Sequence, residues 1–177
     1  LASSAASDVY KRQVMNKQLH KGRNGLAGEW GHTPISAQLA QRYDLPLFTC
    51  NCGLTGCFER YVSGSGLLAL SRHFGHRADS VPALIAHYRH GDPLAQRLIA
   101  MYVDILASAL AGLQLLLDVD AFVLGGGLSN VGELYALLPP AMSAWLLPGT
   151  EPAAVYPPVH GDSSGVRGAA LLRQSWQ

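Results

Sequence analysis

Three thiols within eight residues, Cys50, Cys52 and Cys57, constrain this chain more than any other feature. They are its only cysteines, and an odd cluster this tight cannot make a disulfide framework. Thiolates at that density, on a loop carrying Gly53 and Gly56, suit a tetrahedral Zn2+ that needs a fourth ligand. His32, in Gly28-Glu-Trp-Gly-His32, is the nearest histidine upstream and completes a Cys3His set. A closed four-ligand site has no open position for water, so the metal is expected to be structural rather than catalytic. Three reduced structural cysteines without metal are the alternative reading. Clustered reduced thiols point to a cytoplasmic location.

A chain of 177 residues suits one domain, or half of a two-domain enzyme. Charged residues make up only 14%, with 13 Lys+Arg against 12 Asp+Glu and a net charge of +1, while hydrophobic residues reach 49%. That balance excludes a disordered chain and a broad nucleic-acid-binding surface. No segment is expected to span a membrane. The uncharged run Ile105–Leu117 falls short of the roughly 18 residues required, and Pro139, Pro140 and Pro148 are expected to break the stretch from Leu134 to Thr150. The first residues lack the basic start and apolar run of a secretion signal. Residues 1–13, with the string SSAASDVYKRQ, resemble the translated adapter-derived ends of assembled sequence libraries, so the native reading covers 14–177.

Residues 14 to about 59 are Gly-rich and weakly periodic, and are expected to form loops and short strands. Helices are expected over Arg60–Phe74, interrupted by Gly64 and Gly66, and over Val81–His90. The strongest helical signal opens with Asp92-Pro93, an N-cap followed by proline at the first helical position. About 25 residues then carry Leu94, Leu98, Ile99, Tyr102, Ile105, Leu106, Leu110, Leu113 and Leu117 at spacings of three and four. Ala121–Leu124 reads as a strand ending in Gly125-Gly126-Gly127, and Asn130 with Glu133 resembles a capping box opening another helix. Ala154–Tyr156 reads as a strand, Gly161–Gly165 as a turn and Val166–Gln174 as a final helix, so the class is α/β. His73/His76 and His87/His90 are i,i+3 pairs read as solvated surface, and His20 and His160 stay unassigned.

Four stretches in order carry a family resemblance: Gly28–His32; Cys50-Asn-Cys-Gly-Leu-Thr-Gly-Cys-Phe-Glu59 with Ser63; Leu124-Gly-Gly-Gly-Leu-Ser-Asn130; and His160-Gly-Asp-Ser-Ser-Gly-Val-Arg-Gly-Ala-Ala170. Together they resemble the C-terminal part of ROK-family sugar kinases, closest to the fructokinase/mannokinase branch, with N-acetylglucosamine kinase next. The resemblance implies the C-terminal lobe of an actin-like ATPase (ribonuclease H-like) fold with a zinc-binding loop. It implies transfer of the ATP γ-phosphoryl group, with Mg2+, to a hexose hydroxyl (fructose- or mannose-like), giving a sugar 6-phosphate, in an enzyme that is a homodimer. By resemblance, Glu29, His32 and Glu59 bind sugar hydroxyls, and Gly125, Gly126 and Gly127 lie beside the adenosine of ATP. On the residues alone, surface charge is the preferred reading of Glu29 and Glu59, and a tight turn reads as well for the glycines. The family's Asp-x-Gly-Gly-Thr, Asn-Asp-Ala and Gly-Thr-Gly motifs are absent, so the general-base aspartate is expected upstream and this chain alone is expected to be inactive. The sugar-binding effector domain of a ROK transcriptional repressor, which shares the glutamate-histidine and cysteine motifs, and a zinc-stabilised interaction module are the alternatives.

Overall fold

The 25-residue helix expected after Asp92 organises the structure, a computed structural model that describes residues 13–20 and 22–161. This helix, α5 (Pro93–Leu117), starts where Asp92 accepts a hydrogen bond from the Ala95 N–H at 2.7 Å and ends at Asp118 in the left-handed region. Leu98, Ile99, Tyr102, Ile105, Leu106 and Leu110 of the predicted stripe are buried. Leu117, at the end of the stripe, is instead 42% exposed. Ala95, Ala107 and Ala111 are buried as well, so neighbouring helices approach α5 from several sides. With a mean hydropathy of 1.8 over its most apolar window, α5 is long and apolar enough to cross a membrane, which the count of uncharged residues did not anticipate. Two thirds of that window (67%) is buried inside the protein, as in a core helix.

Around α5 lie α1 (Ala37–Tyr43), α2 (Glu59–Val62), α3 (Gly64–His73), α4 (Val81–Arg89) and α6 (Glu133–Ser143). The expected helix over 60–74 is two helices broken at Ser63, whose hydroxyl accepts from the Gly66 N–H at 3.0 Å. A Cβ on Gly66 would lie 2.5 Å from the Arg60 carbonyl oxygen and 2.9 Å from the Tyr61 nitrogen, all backbone. Gly66→Ala should therefore force the α2–α3 junction apart and cost about 2–3 kcal/mol, read by urea unfolding. A loss below about 0.5 kcal/mol would show that the junction yields without strain.

Four strands are described. β1 (Gln13–Met15) and β2 (Gln18–His20) form an antiparallel hairpin, with Asn16 and Lys17 both at positive φ. Gln13, the last residue of the expected leader, pairs with His20 in this hairpin. β3 (Ala121–Val123) and β4 (Ala154–Tyr156) pair in parallel across α6, forming a βαβ unit. Two expectations in this unit need correction. Asn130 does not cap α6: it ends a 3-10 turn (Gly127–Asn130), and α6 begins at Glu133 after Gly132 with no side-chain cap. Glu133 instead pairs with Arg89 of α4, at 2.6 and 3.0 Å. Pro139 and Pro140 lie inside α6 rather than breaking it, because Leu134, Leu138 and Met142 bury a face against the core that outweighs the lost helical hydrogen bonds. The final helix, the Gly161–Gly165 turn beyond Gly161 and most of the leader fall outside the described residues.

His76 also departs from expectation, being buried rather than solvated. Its Nδ1 accepts from the Ala78 N–H at 3.2 Å and its Nε2 lies 3.3 Å from His87 Nδ1, a bridge between the α3–α4 loop and α4. His73, His87 and His90 are exposed, as are His20 and His160.

Candidate functional site

Backbone pairing assembles the site before any side chain is considered. Phe48–Gly56 folds back on itself: the Cys50 N–H donates to the Leu54 carbonyl at 2.7 Å and the Gly56 N–H to Phe48 at 2.9 Å. The tip is a three-residue loop, Asn51-Cys52-Gly53, whose last residue sits at φ +90°, where glycine escapes the Cβ clash. A second strip of chain is stitched alongside, since the Ile35 N–H donates to Gly56 at 2.7 Å and the Phe58 N–H to Thr33 at 3.0 Å. His32 precedes that strip, at the end of a 3-10 turn (Trp30–His32) closed by the Thr33 N–H and hydroxyl, both donating to the Trp30 carbonyl. The Trp30 and Phe58 rings meet edge to face at 6.5 Å across the join. Two segments eighteen or more residues apart therefore carry their ligating groups to one place.

The candidate ligand atoms of His32, Cys50, Cys52 and Cys57 all lie within 4.8 Å of one another. Cys50 Sγ is 3.7 Å from His32 Nδ1, and Cys52 Sγ is 3.6 Å from Cys57 Sγ. A tetrahedral zinc with bonds of about 2.3 Å to sulfur and about 2.0 Å to nitrogen requires ligand separations of about 3.5–3.8 Å, which these two pairs match, so the donor set fits the ion in type and number. Burial, reinforced by the two neighbouring sulfurs, pushes the Cys57 thiol up to about 12. The exposed Cys52 thiol is held below the ordinary range, first by a hydrogen bond from the Leu54 backbone. Burial beside two sulfurs opposes the ionisation of Cys57, and a bound divalent cation would remove that opposition.

Around this cluster stand the two carboxylates that the resemblance singles out. Glu29 Oε2 lies 3.9 Å from His32 Nε2, on the side of the ring away from the sulfurs, with its side chain 25% exposed. Glu59 opens α2 two residues after Cys57 and is half-buried. Its charge, second to burial, raises the titration of the Tyr102 phenol on α5, whose hydroxyl donates to the Val62 carbonyl at 2.9 Å. Gly125, Gly126 and Gly127 are not in this group: they follow β3 and lead into the 3-10 turn. Gly126 takes φ +72° and ψ −173°, a conformation essentially reserved for glycine, and the space where Gly125 and Gly127 would carry side chains is open. No α-helix starts at these glycines, because α6 begins six residues beyond Gly127.

One network went unread in the sequence. Asp104, in the middle of α5, accepts from Tyr43 OH at 2.7 Å, Arg42 Nη1 at 2.8 Å and Trp145 Nε1 at 2.7 Å. It joins α1, which separates His32 from the cysteine loop, to the chain after α6. An acid on an otherwise uncharged apolar stretch was the available signal.

A family model described as the ROK family matches residues 13–175. The chain belongs to the ROK family. It is 46% identical over 155 residues to the N-acetylgalactosamine kinase AgaK of Shewanella sp. (strain ANA-3), covering 88% of this chain and 50% of that protein. It is 42% identical over 161 residues to the N-acetyl-D-glucosamine kinase of Pectobacterium carotovorum subsp. carotovorum (strain PC1), covering 90% and 53%. Among solved structures, a ROK family glucokinase from Streptomyces griseus, in complex with glucose and AMPPNP, superposes with a TM-score of 0.75 at 28% identity, over 90% of this chain and 55% of that one. This ROK chain thus spans about half the length of the curated relatives it matches, and its α/β fold is that of the actin-like ATPase sugar kinases.

Proposed function

We propose that this ROK chain supplies the sugar-gripping, metal-stiffened part of an ATP-dependent sugar kinase, with residues 14–177, joined by Gln13 of β1, as its C-terminal lobe and residues 1–12 outside it. The observation that carries the reading is the orientation of His32, with Nδ1 toward the sulfurs and Nε2 toward Glu29. If Nδ1 ligates zinc, the neutral imidazole carries its proton on Nε2 and becomes a fixed donor. At 3.9 Å the Glu29 carboxylate is too far for a direct hydrogen bond, so donor and acceptor stand apart as a pair that a hydroxyl can bridge. A sugar OH would accept from His32 Nε2 and donate to Glu29. Glu59, fixed two residues from Cys57, would hold a neighbouring hydroxyl.

Zinc, held by His32, Cys50, Cys52 and Cys57, would set the angle of His32 and the position of Glu59 without entering the reaction. ATP with Mg2+ would supply the phosphoryl group, its adenosine lying along the open backbone of Gly125–Gly127. The general base and the phosphate loop would come from a preceding lobe, and the chain on its own would not turn over. The identity to two N-acetylhexosamine kinases supports an N-acetylhexosamine as the sugar, ahead of fructose or mannose. The same identities favour a kinase over a sugar-binding repressor domain.

Glu59→Gln in the complete enzyme tests the sugar assignment. It preserves size and removes charge, so KM for the sugar should rise about 10-fold or more, equivalent to at least about 1.4 kcal/mol, while KM for ATP stays within about twofold. A panel of N-acetylgalactosamine, N-acetylglucosamine, fructose and mannose should give the highest kcat/KM on an N-acetylated sugar. An unchanged sugar KM in a folded, metal-loaded Glu59→Gln protein would remove this loop from sugar recognition. Sugar binding without phosphorylation by the complete protein would favour the repressor-type reading.

A further inference from the structure

The three sulfurs of the cluster are unequal in exposure. Cys57 is 1% exposed and Cys50 5%, whereas Cys52 is an exposed residue at the hairpin tip between exposed Asn51 and Gly53. Nothing lies within 4 Å of the point where a Gly53 side chain would begin, so the approach to Cys52 along the tip is open. The sulfur of buried Cys57 is 3.6 Å away, while Cys50 Sγ is the one that faces His32 Nδ1. The cluster therefore contains a thiol that a small solute can reach and, adjacent to it, one that it cannot.

We propose that this loop is an oxidation site for hydroperoxides, in which Cys52 is attacked first and Cys57 resolves it as a disulfide. The inference rests on the metal reading above and extends it to the loop's own chemistry. The Cys52 thiolate attacks a peroxide oxygen, the O–O bond breaks, and water or an alcohol leaves as Cys52 becomes a sulfenic acid. The Cys57 thiolate then attacks the Cys52 sulfur, forming the S–S bond and expelling hydroxide, which takes a proton to become water. Two thiolates have lost two electrons, and the peroxide has gained them. Bond formation requires the sulfurs to approach by about 1.5 Å, to a disulfide length near 2.05 Å, a movement confined to the short hairpin tip. Only Cys50 and His32 then remain as ligands, two short of a closed zinc site, so the ion leaves. His32 loses the anchor that fixes its Nε2 beside Glu29, and the sugar-holding pair is released. A dithiol reductant and fresh zinc reverse the change.

The test titrates the zinc-loaded chain with hydrogen peroxide, follows release with a chromogenic chelator, and alkylates the remaining thiols under denaturing conditions. All three cysteines fall in one tryptic peptide, Tyr43–Arg60, so fragment masses locate the label. The expected result is one zinc released per disulfide formed, a peptide carrying a single label on Cys50, and recovery with reductant plus zinc. In the metal-free state, Cys52→Ser should leave both Cys50 and Cys57 open to the label after the same peroxide exposure. A label on Cys52 after release, or Cys52 halted at sulfinic acid with the zinc retained, overturns the proposal. A chain that carries no zinc at the outset overturns the metal reading instead, and the same alkylation map on that protein still decides the Cys52–Cys57 pairing.

Discussion

Replacing Cys57 by serine is expected to abolish zinc retention and to lower the melting temperature by roughly 8–16 °C. The figure follows from linkage, because an ion present at a thousand times its Kd stabilises the folded chain by about 4 kcal/mol, and each kcal/mol moves the melting point of a chain this long by roughly 2–4 °C. Cys57 is the most telling ligand to remove. It is buried, its backbone pairs with Pro34 in an isolated bridge, and its neighbour Phe58 binds Thr33 next to His32. Losing the metal there should loosen both segments at once. The control is internal: chelation should destabilise the unsubstituted protein by the same amount and leave Cys57→Ser unaffected. Cys57→Ser protein that still carries a full complement of zinc would exclude Cys57 as a ligand, and an unsubstituted protein indifferent to chelation would favour three plain reduced cysteines.

Asp104→Ala should cost about 2–3 kcal/mol in urea unfolding. Its carboxylate is 17% exposed and accepts from three donors on two other segments, so truncation leaves the Tyr43 hydroxyl and the Trp145 indole N–H without their acceptor. Arg42 retains its contact over the Trp145 ring, at 5.0 Å, and its exposed end recovers water. Asp104→Asn keeps an acceptor and should lose only about half as much. Because α1 lies between His32 and the cysteine loop, zinc affinity should fall in Asp104→Ala as well. Equal unfolding curves for Asp104→Ala and the unsubstituted chain would show that α1 is held by its buried Leu39 alone.

The cysteine loop was legible because its information is local. Ligand type, the glycines of a tight hairpin and a histidine at the right remove all stand in the text, and the tertiary structure had only to bring two strips together. The start of α5 was legible for the same reason, since Asp92-Pro93 caps the helix through atoms three residues away. α1 was not. Seven residues with one buried leucine hold no helix on their own: Ser36 caps the start, accepting from the Leu39 N–H at 3.2 Å, but the tie to the core is Asp104, 61 and 62 residues from the side chains it binds. The burial of His76 is hidden for the same reason, because spacing along a helix says nothing of whether a loop folds back over it.

What the sequence by itself determined, then, was the chemistry available and where the strongest helix lies: three thiols, a histidine, two acids nearby, and a stripe that must be buried. Tertiary structure alone decided that α6 runs through Pro139 and Pro140, that Asn130 ends a 3-10 turn instead of capping a helix, and that His32 turns one nitrogen to the sulfurs and the other to Glu29. The reason is one of scale. A cap or a proline weighs about 1–3 kcal/mol and is written within a few residues. The burial of Leu134, Leu138 and Met142 sums several terms of that size, and its partners are named only by the fold.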